Sequence, residues 1–217
     1  LNPNEVRLQP ILLSLTPSLA YRWGSLSLGV SLEYLYADYG FDQIQCRPTA
    51  GCEEIQLEGQ NHGWSGNLSA TWQFSGRVAV ALSHQLPSDF HDESLQVALP
   101  AITRVYLSAL MMEGLHWHHS YSYSQWKDKG MSFVGYPDNL ELLIGQKNSH
   151  RYATGLDYEF NQWRVGLGFS VDQAIDSFGG YDYRYRVGGG WQLAERWSVD
   201  FTYMYEQYAG KSADIGG

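Results

Sequence analysis

The chain has 217 residues, a formal net charge of -9, 15% aromatic residues and two cysteines. The acidic balance excludes a nucleic-acid surface, because phosphates need a basic footprint. The absence of any apolar run of about eighteen residues excludes a helical membrane span. A mean hydropathy of -0.34 leaves a barrel open, since a barrel averages a lipid face against a wet lumen.

In chain order, strand-like segments fall at 11–23, 26–40, 63–74, 77–86, 102–109, 111–126, 150–160, 163–173, 181–193 and 196–208. That is roughly ten strands, most long enough to cross the hydrocarbon at a tilt. The late ones alternate strictly. Trp197, Val199, Phe201, Tyr203 and Tyr205 share one face, against Ser198, Asp200, Thr202 and Met204 on the other. Trp163, Val165, Leu167, Phe169 and Val171 stand against Arg164, Gly166, Gly168, Ser170 and Asp172 in the same way. Successive strand side chains point to opposite sides, so each segment has one apolar and one wet face. The apolar face carries the bulky rings, and the wet face carries charges and small residues. That suits lipid outside and a water-filled lumen inside. A soluble up-and-down barrel such as a lipocalin would place its bulky residues inside instead.

Short connections (22–25, 74–77, 161–162, 193–196) alternate with long ones (41–62, 87–101, 127–149, 174–180). This is the pattern of a barrel with a short-turn end and a long-loop end. The fold expected is an all-β, antiparallel up-and-down transmembrane β-barrel, with residues 1–217 as a single domain or the C-terminal portion of one. The 16 Tyr and 8 Trp, against 14 Lys plus Arg, fit aromatic belts at the lipid–water boundary. Pro17 and Pro100 interrupt strand patterns, and proline in a ladder marks an edge, bulge or kink. The stretch 87–110 is the least regular, so its strand is expected to be distorted or displaced inward. Cys46 and Cys52 flank Arg-Pro-Thr-Ala-Gly and are expected to form a loop disulfide in an oxidising compartment. A two-ligand metal clip and two free thiols are the alternatives.

Segments 17–24 (Pro-Ser-Leu-Ala-Tyr-Arg-Trp-Gly) and 26–30 (Leu-Ser-Leu-Gly-Val) resemble paired strands of the outer-membrane long-chain fatty acid transporter family. These are the FadL-type channels, which include aromatic-hydrocarbon uptake proteins. Gly63-Trp-Ser-Gly-Asn-Leu, Leu99-Pro100 with Tyr106, Tyr123-Ser-Gln-Trp126, and the late strands Tyr152–Asp172 and Tyr185–Tyr205 follow in the family's order. The resemblance covers nearly the whole chain. It implies a channel of about fourteen strands in the Gram-negative outer membrane, passing hydrophobic or amphipathic molecules such as long-chain fatty acids. The partners implied are the bilayer, lipopolysaccharide and a hydrophobic small-molecule ligand, with no cofactor. The chain supplies roughly ten strands and lacks the family's N-terminal plug and closing aromatic, which reads as a C-terminal portion or a reduced barrel.

Such a path needs apolar surface for a tail and one or two basic groups for a carboxylate. The wet faces offer Arg151, Arg164, Arg184 and Arg186 as bases, and Asp157, Glu159, Asp172, Asp200 and Glu206 as acids. The same groups also suit a cross-strand ion-pair network that stiffens the lumen. His116 and His118 share a strand face at a spacing that can hold a metal, but no third ligand is legible, and a polar lumen pair is the plainer expectation. Ser120, Ser122 and Ser124 lie in phase with them. Neighbours on one strand face are about 7 Å apart, beyond hydrogen-bond reach, so no hydrolase is expected. A non-transport barrel, acting as a receptor or adhesin through the 41–62 loop, is the second functional expectation.

Overall fold

In a computed structural model of the chain, residues 6–47, 51–91, 95–133, 140–175, 179–194 and 197–208 are described. They form fifteen strands: β1 (Val6–Leu15), β2 (Ser18–Trp23), β3 (Leu26–Arg47), β4 (Gly51–Gln73), β5 (Val78–Gln85), β6 (Ser88–His91), β7 (Leu95–Leu99), β8 (Ile102–Met112), β9 (Leu115–Ser124), β10 (Gly130–Phe133), β11 (Leu140–Ile144), β12 (Ser149–Phe160), β13 (Trp163–Gln173), β14 (Tyr181–Ala194) and β15 (Trp197–Gln207).

Eleven of them make one antiparallel sheet in the order β1-β3-β4-β5-β8-β9-β12-β13-β14-β15, with β2 also paired to β3. β1 and β2 lie end to end along one edge of β3. The break between them falls at Thr16–Pro17, where the Leu32 amide donates to the Pro17 carbonyl at 3.1 Å. Pro10 sits on the same edge strand, the place in a sheet where proline is tolerated. The chain thus occupies ten successive positions in a barrel-type wall. Among the described residues the two edge positions do not pair with each other.

The bulky rings point away from protein. Trp197, Phe201 and Tyr203 are each more than 60% exposed, and buried apolar residues among those described are confined to Leu35, Phe90, Ala101 and Ala174. A water-soluble barrel would bury these rings; this one displays them. Rings cluster at the short-turn end, where Trp163 stacks on Trp191 with centroids 5.1 Å apart and Trp72 on Phe74 at 4.1 Å. They cluster again at the other end, where Tyr34 meets Trp64 at 4.9 Å and Tyr121 meets Tyr152 at 5.0 Å. These are two belts with aliphatic and aromatic surface between them.

Three expectations need correction. The segment 41–62 is not a loop: β3 runs to Arg47 and β4 starts at Gly51, in continuous register from Leu26↔Trp72 to Arg47↔Gly51. The backbone there is satisfied by its partner strand, so low hydrophobicity does not prevent pairing. The turn expected near Leu110 lies at Glu113–Gly114, where Gly114 takes φ +77°, a left-handed value that favours glycine.

The connections 87–101 and 127–149 also carry strands. They meet in a second antiparallel sheet of order β11-β10-β7-β6. This sheet lies on the wet face of the wall; of the stretch 87–110, residues 88–99 are displaced inward while 102–110 stay in the wall as β8. Gly63, inward on β4, would place a Cβ 2.7 Å from the Phe90 ring. Leu35 stands opposite Gly63 in the ladder and is buried. Phe90 is only 2% exposed, a burial worth about 2–3 kcal/mol. Lys129 Nζ lies 2.9 Å from Asp89 Oδ1 and ties the lead-in of β10 to β6. Pro100 marks the place where the chain leaves this sheet for β8.

Candidate ligand path on the polar face

All nine charged residues singled out from the sequence fall on the wet face. The register shows it: Arg151↔Asp172 and Glu159↔Arg164 between β12 and β13, Gly168↔Arg186 and Ser170↔Arg184 between β13 and β14, and Arg184↔Glu206 and Gly190↔Asp200 between β14 and β15. They form two groups.

The first lies toward the long-loop end. Arg151 Nε sits 3.2 Å from Asp172 Oδ1. Arg184 Nη1 pairs with the other oxygen of Asp172, and Arg184 Nε donates to Glu206 Oε1 at 2.6 Å. Glu206 also accepts from the Tyr208 hydroxyl. Two arginines and two carboxylates thus alternate across four strands, each charge neutralised by its neighbour.

The second lies toward the short turns. Arg164 Nη2 donates to Asp200 Oδ1 at 2.7 Å. It reaches Asp200 by arching over β14 at Gly190, which stands between the two in the register. A Cβ at Gly190 would collide with the Asp200 carboxylate. His118 Nε2 lies 3.1 Å from Asp157 Oδ2, a diagonal contact made possible by Gly155 directly opposite His118. His116 and His118 stack with centroids 6.2 Å apart; no group of three metal-ligating side chains occurs among the described residues.

Arg186 and Glu159 belong to neither group. Arg186 is exposed, and its Nε contacts the Met204 sulfur at 3.4 Å. The Glu159 amide bonds to the Gly114 carbonyl, and its carboxylate makes no ion pair among the described residues.

Two cavities lie on this face. One, of about 310 Å3, is bounded by Asp157, Arg164, Arg186, Asp200 and Thr202 over Gly166, Gly168 and Gly188. The other, of about 320 Å3, is bounded by Thr71, Ala81, Tyr106, Ser108, His118 and Gly155. A larger groove of about 540 Å3 between Trp117, Leu167, Tyr185 and Tyr203 opens on the apolar face. The glycine floor and Met204 were missed from sequence as site residues. Glycines on the wet faces of three successive strands were the available signal.

Cys46 and Cys52 stand directly opposite each other near the tip of the β3–β4 ribbon. Cys52 is not a free thiol, and the Cys46 side chain lies outside the described residues.

The chain can be superposed on solved structures over most of its length. Over 92% of its length the chain superposes on a CymD monoaromatic hydrocarbon channel with a TM-score of 0.73 at 15% identity. It superposes equally far on a Pseudomonas aeruginosa FadL homologue, with a TM-score of 0.75 at 15% identity. The chain has the fold of the FadL-type channels. The Ralstonia pickettii toluene transporter TbuX matches over 90% of the chain, with a TM-score of 0.66 at 16% identity. The chain spans 69%, 60% and 62% of these three proteins respectively. No protein-family model and no curated protein matches the sequence. Within the FadL-type fold, the described strands are therefore a part of the wall.

Proposed function

We propose that the chain forms wall and lumen of a Gram-negative outer-membrane channel through which hydrophobic or amphipathic small molecules diffuse, long-chain fatty acids among them. One observation carries this reading: an apolar face, belted by rings at both ends, stands exposed on a sheet whose opposite face is polar. Exposed apolar area of this extent is stable only against lipid. The hydrocarbon channels that share the fold support the choice of cargo. Diffusion breaks no bond, so the lumen residues need only hold and release a ligand. In this reading residues 1–217 are one barrel domain or part of one, Arg151, Asp157, Glu159, Arg164, Asp172, Arg184, Arg186, Asp200 and Glu206 line the path, and Cys46 and Cys52 form a disulfide that pins the ribbon outside the membrane.

The test is uptake of radiolabelled toluene and oleate by Gram-negative cells that lack such a channel and express the full-length protein. Uptake several times that of the empty-vector control is the expected result. A folded, surface-located barrel that admits neither compound would sink the reading.

The ribbon favours a second reading, because only residues 67–73 of β4 pair with β5 and the remainder pairs only toward β3. With β1 flanking β3 as far as Gln43, this is a three-stranded extension tapering to a two-stranded tip, and such a projection is a surface for a partner. Replacing both cysteines with serine should then cost partner binding and leave uptake intact.

A further inference from the structure

We propose that Arg186 is the anionic-headgroup anchor of the lumen, so that this channel selects amphipathic carboxylates over neutral hydrocarbons. The inference rests on the channel reading above and deepens it.

Three of the other four lumen arginines are committed to carboxylates, and the fourth, Arg104 on β8, reaches the Gln85 amide oxygen at 3.5 Å and stands away from the glycine floor. Arg151 and Arg184 share Asp172, Arg184 also holds Glu206, and Arg164 holds Asp200. Arg186 has no carboxylate within ion-pair distance among the described residues; its recorded contact is the thioether of Met204. Glu206 stands two positions along β15 from Met204, but its oxygens are taken by Arg184 and Tyr208. A guanidinium without a carboxylate keeps its fork of donors for a planar anion, which it can engage with two parallel bonds.

What surrounds Arg186 fits the rest of such a ligand. One register row reads Met204, Arg186, Gly168, Gly155, His118, Ser108 across six strands. Two bare positions therefore follow Arg186 directly, and Gly166 and Gly188 widen the floor in the adjacent row. With strands about 4.8 Å apart, the stretch from Arg186 to His118 is about 14 Å long. It joins the Arg186 recess to the second cavity, which Gly155 also lines. Met204 supplies a polarizable apolar flank beside the guanidinium. A head on Arg186 leaves its tail lying over glycine backbone, with room that side chains would otherwise fill.

Gly168 allows a test of shape apart from charge. A Cβ there would meet the Arg186 Cβ at 3.6 Å and the Thr154 carbonyl at 3.8 Å, both ordinary contacts. A larger side chain can thus fill the recess from a position where its first carbon already fits.

The experiment uses the folded full-length protein in detergent and two probes with one tail, oleate and oleyl alcohol. The wild type is expected to bind oleate about tenfold or more tighter than the alcohol at low salt. Arg186→Gln should erase that preference by weakening oleate alone, and Arg186→Lys should keep part of it. Gly168→Leu should weaken both probes with Arg186 intact. Folding of each variant is checked by its heat-modifiable migration on gels. An oleate preference that survives in Arg186→Gln overturns the inference, and so does equal binding of the two probes by the wild type. Either result leaves the channel reading standing if toluene is still taken up. If no probe binds and toluene is not taken up, the channel reading falls as well, and the two failures are thereby told apart.

Discussion

The wet face of β3–β5 and the wet face of β12–β15 do the same architectural job with different chemistry. On the first, Ser27, Gly29, Ser31, Ser69, Thr71, Ala79, Ala81 and Ser83 present small groups, and no ion pair crosses these strands among the described residues. On the second, four arginines and six acids, Asp182 among them, crowd into four strands. Toward the short turns the first half carries no charge network among the described residues and leaves open space, while farther along Phe90 packs over Gly63. The second adds a network of ion pairs that stiffens the strands and leaves Arg186 and Glu159 outside it. Lumen charge here is arranged mostly for order, with Arg186 kept outside the pairs over the glycine floor.

The largest effect expected is from Phe90→Ala, which removes the ring holding the second sheet over Gly63. Loss of about 3–5 kcal/mol locally should unseat that sheet, read as raised single-channel conductance in planar bilayers with the wall still folded. Next comes Leu167→Arg in the middle of the apolar face. It should destabilise the barrel by about 2–4 kcal/mol in urea unfolding from vesicles, whereas an arginine at Ser69 on the wet face should cost far less. Asp172→Ala should cost about 1–3 kcal/mol, because it strands Arg151 in a half-buried site beside Arg184, which is left with Glu206 alone. Asp172→Asn should recover part of that. Smallest is Asp200→Ala. Its pair with Arg164 is about half exposed on both sides, so the loss should stay below about 1 kcal/mol and vanish in high salt. Equal losses at Asp172 and Asp200 would dissolve the distinction between the two charged groups.

The wall was legible because its signal is local. Period-two alternation in segments such as 163–173 assigns every side chain to a face without knowledge of its neighbours, and all nine charged residues fell where parity put them. Pairing was not legible, because it depends on register. Nothing in the sequence says that Arg184 reaches both Asp172 and Glu206, or that Arg164 crosses Gly190 to Asp200. The β3–β4 ribbon was hidden by composition: Gln, Glu and Asp between Phe41 and Leu57 blur the contrast between faces. The second sheet was hidden by length, since Ser88–His91 and Gly130–Phe133 are too short to show a period. Solved structures sharing the fold turned an expected barrel-type wall into an observed one, while transport and cargo still have to be argued from the lumen.

The second sheet also sets an order of events. Its β7 strand pairs with β10 through Gly130↔Ala98 to Phe133↔Leu95, and the whole β8–β9 hairpin lies between them in the chain. Closing so long an excursion is entropically costly unless the hairpin has already drawn its ends together. The wall therefore precedes the element that narrows it. A newly inserted barrel would pass through a wide-bore stage before its mouth is furnished, and slowing this last docking would leave the membrane leaky during assembly even where the finished protein is tight.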